Sequence, residues 1–192
     1  MKNVNKILDK LETIYPDAQC ELEYTTAFEL LIATILSAQC TDVRVNIVTR
    51  ELFKKYNTAE DFAKLSEEEI MGEIRTCGLY KSKAKHVKSC CMQLAEQYGG
   101  EVPTTIEELV KLAGVGRKTA TLFLADAYGI PGVTVDTHVF RISYRLGWAN
   151  GKNPVETEQE LMRVLPKDHW NRINFQLIYH GRSICTARKA KC

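Results

Sequence analysis

The sequence predicts an all-α fold, and three observations carry that expectation. Apolar residues recur at helical spacing along most of the 192-residue chain. Side chains able to cap a helix stand just ahead of those stripes. No segment alternates apolar and polar residues as a half-buried strand would.

The elements follow in order. Val4, Ile7, Leu11 and Ile14 mark a first helix, which Pro16 stops. Residues 27–38 are apolar nearly all round, the pattern of a central buried helix. Thr41 or Asp42 can cap the next one, with Val45, Val48 and Leu52 on its inner face. Ser66 with Glu69 forms a capping box ahead of Ile70 and Ile74. Residues 81–98 are helical up to Gly99 and Gly100. Thr105 with Glu108 makes a second box before a short helix to Leu112, and another helix covers 117–128, ended by Gly129 and Pro131. Asp136 can cap a helix reaching Gly147, and Asn153, Pro154 and Glu156 hold the cap, first and third positions of one more. A last long helix is expected from Asp168 to near Gly181. The stretch 129–135, Gly-Ile-Pro-Gly-Val-Thr-Val, is the best candidate for a crossing between domains.

Composition narrows the class. With 45% hydrophobic and 26% charged residues the chain is an ordinary globular one, which excludes disorder, collagen and a membrane bundle. The longest apolar stretch, 27–38, is too short to span a bilayer and contains Glu29. The first residues hold no apolar run of the secretory kind, so the chain is expected in the cytoplasm. Net charge is only +2, but its distribution is uneven: 51–73 holds seven acids against three bases, Lys81, Lys83, Lys85 and Lys88 follow without an acid, and 167–192 has six bases and one acid. The plain reading of such runs is a solvated face; the functional one is a surface that meets phosphates. In a cytosolic chain the seven cysteines should be reduced or metal-bound. Cys20, Cys40, Cys77, Cys90 and Cys91 read as ordinary buried thiols.

The chemistry concentrates at 112–120, Leu-Ala-Gly-Val-Gly-Arg-Lys-Thr-Ala. Two helices flank a turn built on Gly114 and Gly116. Glycine lets bare backbone approach a ligand, and the second helix starts here with unpaired N–H groups and the positive end of its dipole. That arrangement suits a phosphate. A tight helix–helix corner would also use glycine, but the full string Gly-Val-Gly-Arg-Lys-Thr-Ala points to DNA. It is not a P-loop, since the four-residue gap and the preceding strand are missing. Lys118 is either a phosphate contact or a nucleophile. Desolvation or neighbouring cations such as Arg117 would favour its neutral amine, which can form a Schiff base. Eighteen residues on stands Asp136, a helix cap and also a carboxylate able to take a proton from that lysine and stabilise positive charge on a sugar ring. His138 reads as structural before catalytic. His86, His169 and His180 have no metal-ligand spacing.

On these residues the chain resembles the endonuclease III family of the helix-hairpin-helix DNA glycosylase superfamily. The resemblance rests on 112–120, on Val135-Asp136-Thr137-His138-Val139-Phe140-Arg141, on Leu36-Ser37-Ala38-Gln39, on Gly78-Leu79-Tyr80-Lys81-Ser82-Lys83-Ala84, and on His180-Gly181-Arg182 with Cys185. It implies a six-helix barrel over 22–133 carrying the hairpin, and a second helical domain from 1–21 and 134–192, with DNA in the cleft between them. It implies a bifunctional glycosylase and AP lyase of base excision repair, acting on oxidised pyrimidines. Lys118 would attack C1′ of a flipped-out nucleotide, hold the sugar as a Schiff base, and cut the strand 3′ to the lesion by β-elimination, with Asp136 assisting. Gln39 would fill the hole left by the base and Leu79 would wedge into the opposite strand. Gly114, Val115, Gly116, Arg117, Thr119 and His138 would touch DNA, as would Arg188, Lys189 and Lys191 through backbone phosphates. The implied partner is duplex DNA with damaged bases or abasic sites, the implied state a monomer associated with the nucleoid.

The family carries a 4Fe-4S cluster on four cysteines spaced six, two and five residues apart. Cys185 and Cys192 match the first two, where two thiolates cannot hold a cluster that needs four. The expectation is a sequence cut from a longer one, with a lineage lacking the cluster as the alternative, and a loose tail after Gly181. A non-catalytic DNA-binding module would explain the hairpin but not Lys118 with Asp136. Mismatch or adenine glycosylases usually lack the lysine, while 8-oxoguanine and pyrimidine-dimer relatives keep it and stay open.

Overall fold

The computed structural model describes residues 3–188, 190 and 191. Among them the chain is helical throughout, with one isolated antiparallel bridge between Cys185 and Ala190. The helices are α1 (Val4–Ile14), α2 (Ala27–Ser37), α3 (Asp42–Lys55), α4 (Ala59–Lys64), α5 (Glu67–Glu73), α6 (Tyr80–Gln97), α7 (Ile106–Leu109), α8 (Arg117–Tyr128), α9 (Thr137–Arg145), α10 (Pro154–Val164) and α11 (Trp170–Ser183). They fall into two compact units, Glu21–Ala127 and Met1–Cys20 with Tyr128–Cys192.

The first unit is built around α2. Nine of its residues from Phe28 to Leu36 are buried, so it has no solvent face, as its apolar composition requires. Each fully buried Leu or Ile there is worth about 1.5–3 kcal/mol. Glu29 is buried with them because its carboxylate accepts from the N–H and hydroxyl of Thr25 at 2.6 and 2.7 Å. Helices α4 and α5 pack on α6, and the Phe62 ring lies 5.8 Å from Phe28 and 5.9 Å from Tyr56.

The second unit joins α1 to α9, α10 and α11. Leu8 and Leu11 enter the same core as Val139, Ile142, Leu161, Ile173 and Leu177, together with Val133 and Val135 from the connecting strand of chain. Glu12 and Arg172 close an ion pair at 2.9 Å, and the Tyr15 hydroxyl meets Nδ1 of His180 at 3.2 Å.

Several local expectations are corrected. Thr105 caps α7 through the Glu108 N–H, but Glu108 does not reciprocate; its carboxylate accepts from Tyr98 and Lys111 instead. The last helix begins at Trp170, because Asp168 lies in a 3-10 turn over Lys167–His169. Helix α4 was hidden in the sequence, since six residues are too few to display a period, although Thr58 caps it. Among the described residues of the tail expected to be loose, α11 continues to Ser183, and Cys185, Thr186 and Ala187 accept from two arginines described below.

Candidate active site

The hairpin divides its two glycines between different tasks. Gly114 has φ +80°, and a Cβ there would stand 2.8 Å from Cβ of His86 on α6. The fold itself therefore demands this glycine. Gly116 lacks a positive φ, and a Cβ there would meet nothing within 4 Å. Between them Val115 is buried and anchors the turn, with its N–H on the Leu112 carbonyl at 3.1 Å.

Helix α8 starts on this turn. Its first intrahelical bond runs from the Ala120 N–H to the Gly116 carbonyl at 2.9 Å, so the first-turn amides have no intrahelical acceptor. Helices α2, α3, α4, α5, α7 and α10 each carry a side-chain cap and an acid in the first turn; α8 has no acid there, and glycine at the cap position supplies no side chain. Its dipole end keeps its positive character. Arg117 and Lys118 are exposed on that turn and Thr119 is half-buried.

Two other expected DNA contacts share an unusual backbone. Gln39 has φ +53° and Leu79 has φ +59°, the left-handed region that few non-glycine residues occupy. Both are exposed, Leu79 by 56%, where an apolar side chain gains nothing from the fold. The two loops touch, for a Cβ on Gly78 would stand 3.0 Å from the Gln39 carbonyl oxygen.

In the second unit Asp136 caps α9. Its Oδ1 accepts from the N–H groups of His138 and Val139 at 2.8 and 2.7 Å, which fixes the carboxylate and leaves Oδ2 outside both bonds. His138 Nδ1 pairs with Arg141 at 3.1 Å, and its ring lies against Gly181, where a Cβ could not fit.

Arg141 and Arg145 hold the tail. Arg141 donates to the Cys185 carbonyl at 2.9 Å. Arg145 donates to the Cys185 Sγ at 3.1 Å and to the carbonyls of Thr186 and Ala187 at 2.9 and 3.2 Å. Cys185 is thereby buried, while Arg188 and Lys191 are exposed. Lys189 and Cys192 lie outside the described residues.

The expected lysine run is not one surface. Lys81 and Lys85 are exposed, Lys88 donates to the Ala63 carbonyl at 2.6 Å, and Lys83 is buried. A signal for Lys83 existed: it shares a helical stripe with Val87, Cys90 and Leu94. The arginine clamp on the tail carried a weaker one, the spacing of Arg141 and Arg145 on one face of α9.

Comparison with known proteins bears on this arrangement. Residues 32–167 match the family model of the HhH-GPD superfamily base excision DNA repair protein. The chain is 46% identical over 192 residues to endonuclease III of Synechocystis sp., covering all of this chain and 88% of the relative. It is 46% identical over 193 residues to endonuclease III of Bacillus subtilis, again covering all of this chain and 88% of the relative. A solved structure of a trapped endonuclease III–DNA covalent intermediate, an estranged-adenine complex, superposes with a TM-score of 0.91 at 44% identity, covering 98% of this chain and 89% of that one.

Proposed function

This chain belongs to the endonuclease III family, DNA glycosylases with AP lyase activity in the HhH-GPD superfamily of base excision DNA repair proteins, and we propose that it removes oxidised pyrimidines from duplex DNA and cuts the strand 3′ to the resulting abasic site. The hairpin 112–120 approaches a backbone phosphate through Gly114, Val115 and Gly116, with Arg117 and Thr119 beside it. Gln39 fills the space of the extruded base, and Leu79 stacks into the opposite strand. His138, Arg188, Lys189 and Lys191 add contacts to the backbone.

Lys118 is the nucleophile. Its amine attacks C1′, the base departs with the glycosidic electron pair, and ring opening gives a Schiff base. Loss of a 2′ proton then expels the 3′ phosphate. Lys118 is exposed in the free protein, on the first turn of α8, where a bound strand can reach it. Asp136 takes the amine's proton and stabilises the cationic sugar, its orientation set by its duty as a helix cap.

One observation carries this reading. Among the described residues nothing lies within 4 Å of a Cβ placed on Gly116, which stands directly ahead of the turn that presents Lys118. The similarity to an endonuclease III trapped covalently on DNA supports a nucleophile of this kind. Borohydride trapping on a panel of lesion-containing duplexes tests it: the native chain should form a covalent adduct, and Lys118→Ala should bind lesions but form none. An alanine variant that traps at the native rate removes Lys118 from the mechanism.

The family's 4Fe-4S cluster is a separate matter. A cluster of this type needs four thiolates. The family pattern falls on Cys185 and Cys192 alone, and among the described residues no group of three or more His, Cys, Asp or Glu could hold a metal. The Cys185 sulfur accepts from Arg145. Cys185 and Cys192 are the positions of that pattern within this sequence, and no step above depends on the cluster.

A further inference from the structure

Two cysteines and a lysine that this chemistry leaves unused meet where the loop after α2 passes the loop before α6. Cys40 turns the first loop, with its N–H on the Ser37 carbonyl at 3.0 Å; Cys77 turns the second, with its N–H on the Ile74 carbonyl at 2.9 Å. The backbones touch at Gly78 and Gln39, at 3.0 Å from the position of a Gly78 Cβ. That approach brings the Cys77 thiol within electrostatic reach of Cys40. Cys77 is fully buried, and Cys40 is partly open to solvent.

Beside them lies Lys83, only 3% exposed, whose Nζ is buried without a hydrogen-bond partner. It interacts electrostatically with both sulfurs. A buried ammonium that lacks a partner is costly, and an anion beside it relieves the cost. Burial lowers the pKa of Lys83 and pushes the Cys77 thiol up to about 11, so an isolated charge of either sign is disfavoured there. Burial outweighs Lys83 at Cys77, so Cys40, partly open to solvent, is the sulfur that a peroxide reaches first. The other buried thiols, Cys90 and Cys91, sit in the core away from solvent.

We propose that Cys40 and Cys77 form a dithiol site oxidised by hydroperoxides, whose disulfide fastens the Gln39 loop to the Leu79 loop. The Cys40 thiol loses its proton and attacks a peroxide oxygen. The O–O bond breaks, the departing oxygen takes up the proton, and Cys40 becomes a sulfenic acid. Cys77 then loses its proton and attacks the Cys40 sulfur; the S–O bond breaks and the hydroxyl leaves with that proton as water. Two thiols give up two electrons and two protons, and one hydroperoxide becomes an alcohol and water. Lys83 stabilises each thiolate as it forms.

The functional consequence rests on the reading of Gln39 and Leu79 as DNA contacts. A disulfide holds its Cα atoms about 5.5–6 Å apart. The two loops then lose the adjustment needed to enter the duplex from both strands. Lesion affinity should fall about fivefold or more on oxidation, the low end of ordinary coupling between sites. By reciprocity, saturating lesion DNA should make the pair easier to reduce by the same factor, a rise of about 20 mV in its potential.

The test uses the full chain, reduced and then exposed to hydrogen peroxide. Free thiols are blocked under denaturing conditions and tryptic peptides are mapped by mass. Cleavage after Arg75 and Lys81 isolates Cys77 on a six-residue peptide, while Cys40 shares a peptide with Cys20, so fragmentation must assign the bond. The expected result is a Cys40–Cys77 link that dithiothreitol reverses, absent from Cys40→Ser and from Cys77→Ala. Lys83→Met should slow its formation about tenfold, because the charge facing the attacking sulfur is lost. Oxidised native protein should bind an abasic-analogue duplex more weakly, and Cys77→Ala should be indifferent to peroxide.

Oxidation of Cys40 without a link to Cys77 overturns the site. A link that leaves DNA affinity unchanged overturns the coupling. Alanine at Gln39 and at Leu79 in the reduced protein separates the two readings: if neither weakens lesion binding, the assignment of those contacts fails while the dithiol stands or falls on its masses.

Discussion

Alanine at the two hairpin glycines should do opposite things. At Gly114 the added methyl must adopt φ +80° and stand 2.8 Å from the His86 Cβ, an atom fixed to the α6 backbone. The left-handed conformation costs about 1–2 kcal/mol for a residue with a Cβ. Forcing an extra carbon into a packed contact costs about 1–3 kcal/mol. The two add to about 2–5 kcal/mol, or roughly 4–20 °C in Tm for a chain of this length. At Gly116 the methyl enters open space at an ordinary φ. The lost backbone freedom of the unfolded state is offset by the poorer helix cap that alanine makes, so Gly116→Ala should change stability by less than about 1 kcal/mol. Its effect should appear only with DNA, where a methyl holds the hairpin backbone away from a phosphate. Thermal unfolding by circular dichroism and anisotropy of a labelled abasic-analogue duplex measure the two properties. Gly114→Ala should melt early, while Gly116→Ala should melt normally and bind weakly. A Gly116→Ala protein with native affinity would refute the assignment of that glycine to the ligand, and a Gly114→Ala protein with native Tm would refute the packing.

Other outcomes follow from the same geometry. Asp136→Asn should keep its cap, since asparagine caps as well as aspartate, yet lose roughly 10²-fold or more in rate; Asp136→Ala should also melt lower by about 1 kcal/mol of stability. If the asparagine variant retains native turnover by strand-cleavage assay, the carboxylate is only structural. Replacing Arg188 and Lys191 with glutamine should weaken all duplexes about equally and flatten the salt dependence of binding by roughly one power per phosphate contact removed; a changed lesion preference with an unchanged slope would place them elsewhere. Burial holds the His180 imidazole below its ordinary value. The unfolded chain therefore binds that proton more readily, so stability is complete above about pH 6.5 and falls as pH drops below it. Urea midpoints from pH 7.5 to 5.5 should decline, and His180→Gln should reduce the slope; an identical slope in the variant removes His180 as the cause.

The parts of the fold that were legible in the sequence are those fixed by neighbours close in the chain. Ser66 with Glu69, Thr41, Asn153 and Asp136 all cap as their spacing requires, because a cap joins residues two or three apart. Helix α2 declared its burial through composition alone. Failure came where a side chain's partner is distant. Glu108 had Tyr98 and Lys111 to choose from, and only the fold decides that competition. Cys40 and Cys77 stand 37 positions apart, and no local pattern joins them. Lys83 follows its helical stripe, with Val87, Cys90 and Leu94, and not the lysines beside it in sequence.

The same distinction runs through the candidate site. The turn at 114–116 and the cap at Asp136 are local devices, and both could be located from short strings of sequence. What the strings could not reveal is which residues the fold already uses. Gly114 is consumed by the approach of α6, and His138 by Arg141 and Gly181. Gly116, Leu79 and Gln39 are left with exposed positions that the protein's own packing does not require. Asp136 belongs to both groups at once: Oδ1 serves the helix and Oδ2 does not. A residue in that position holds its carboxylate still without spending the oxygen that a reaction needs. For that reason replacement by asparagine, which preserves one duty and removes the other, separates fold from chemistry more sharply at Asp136 than any truncation could.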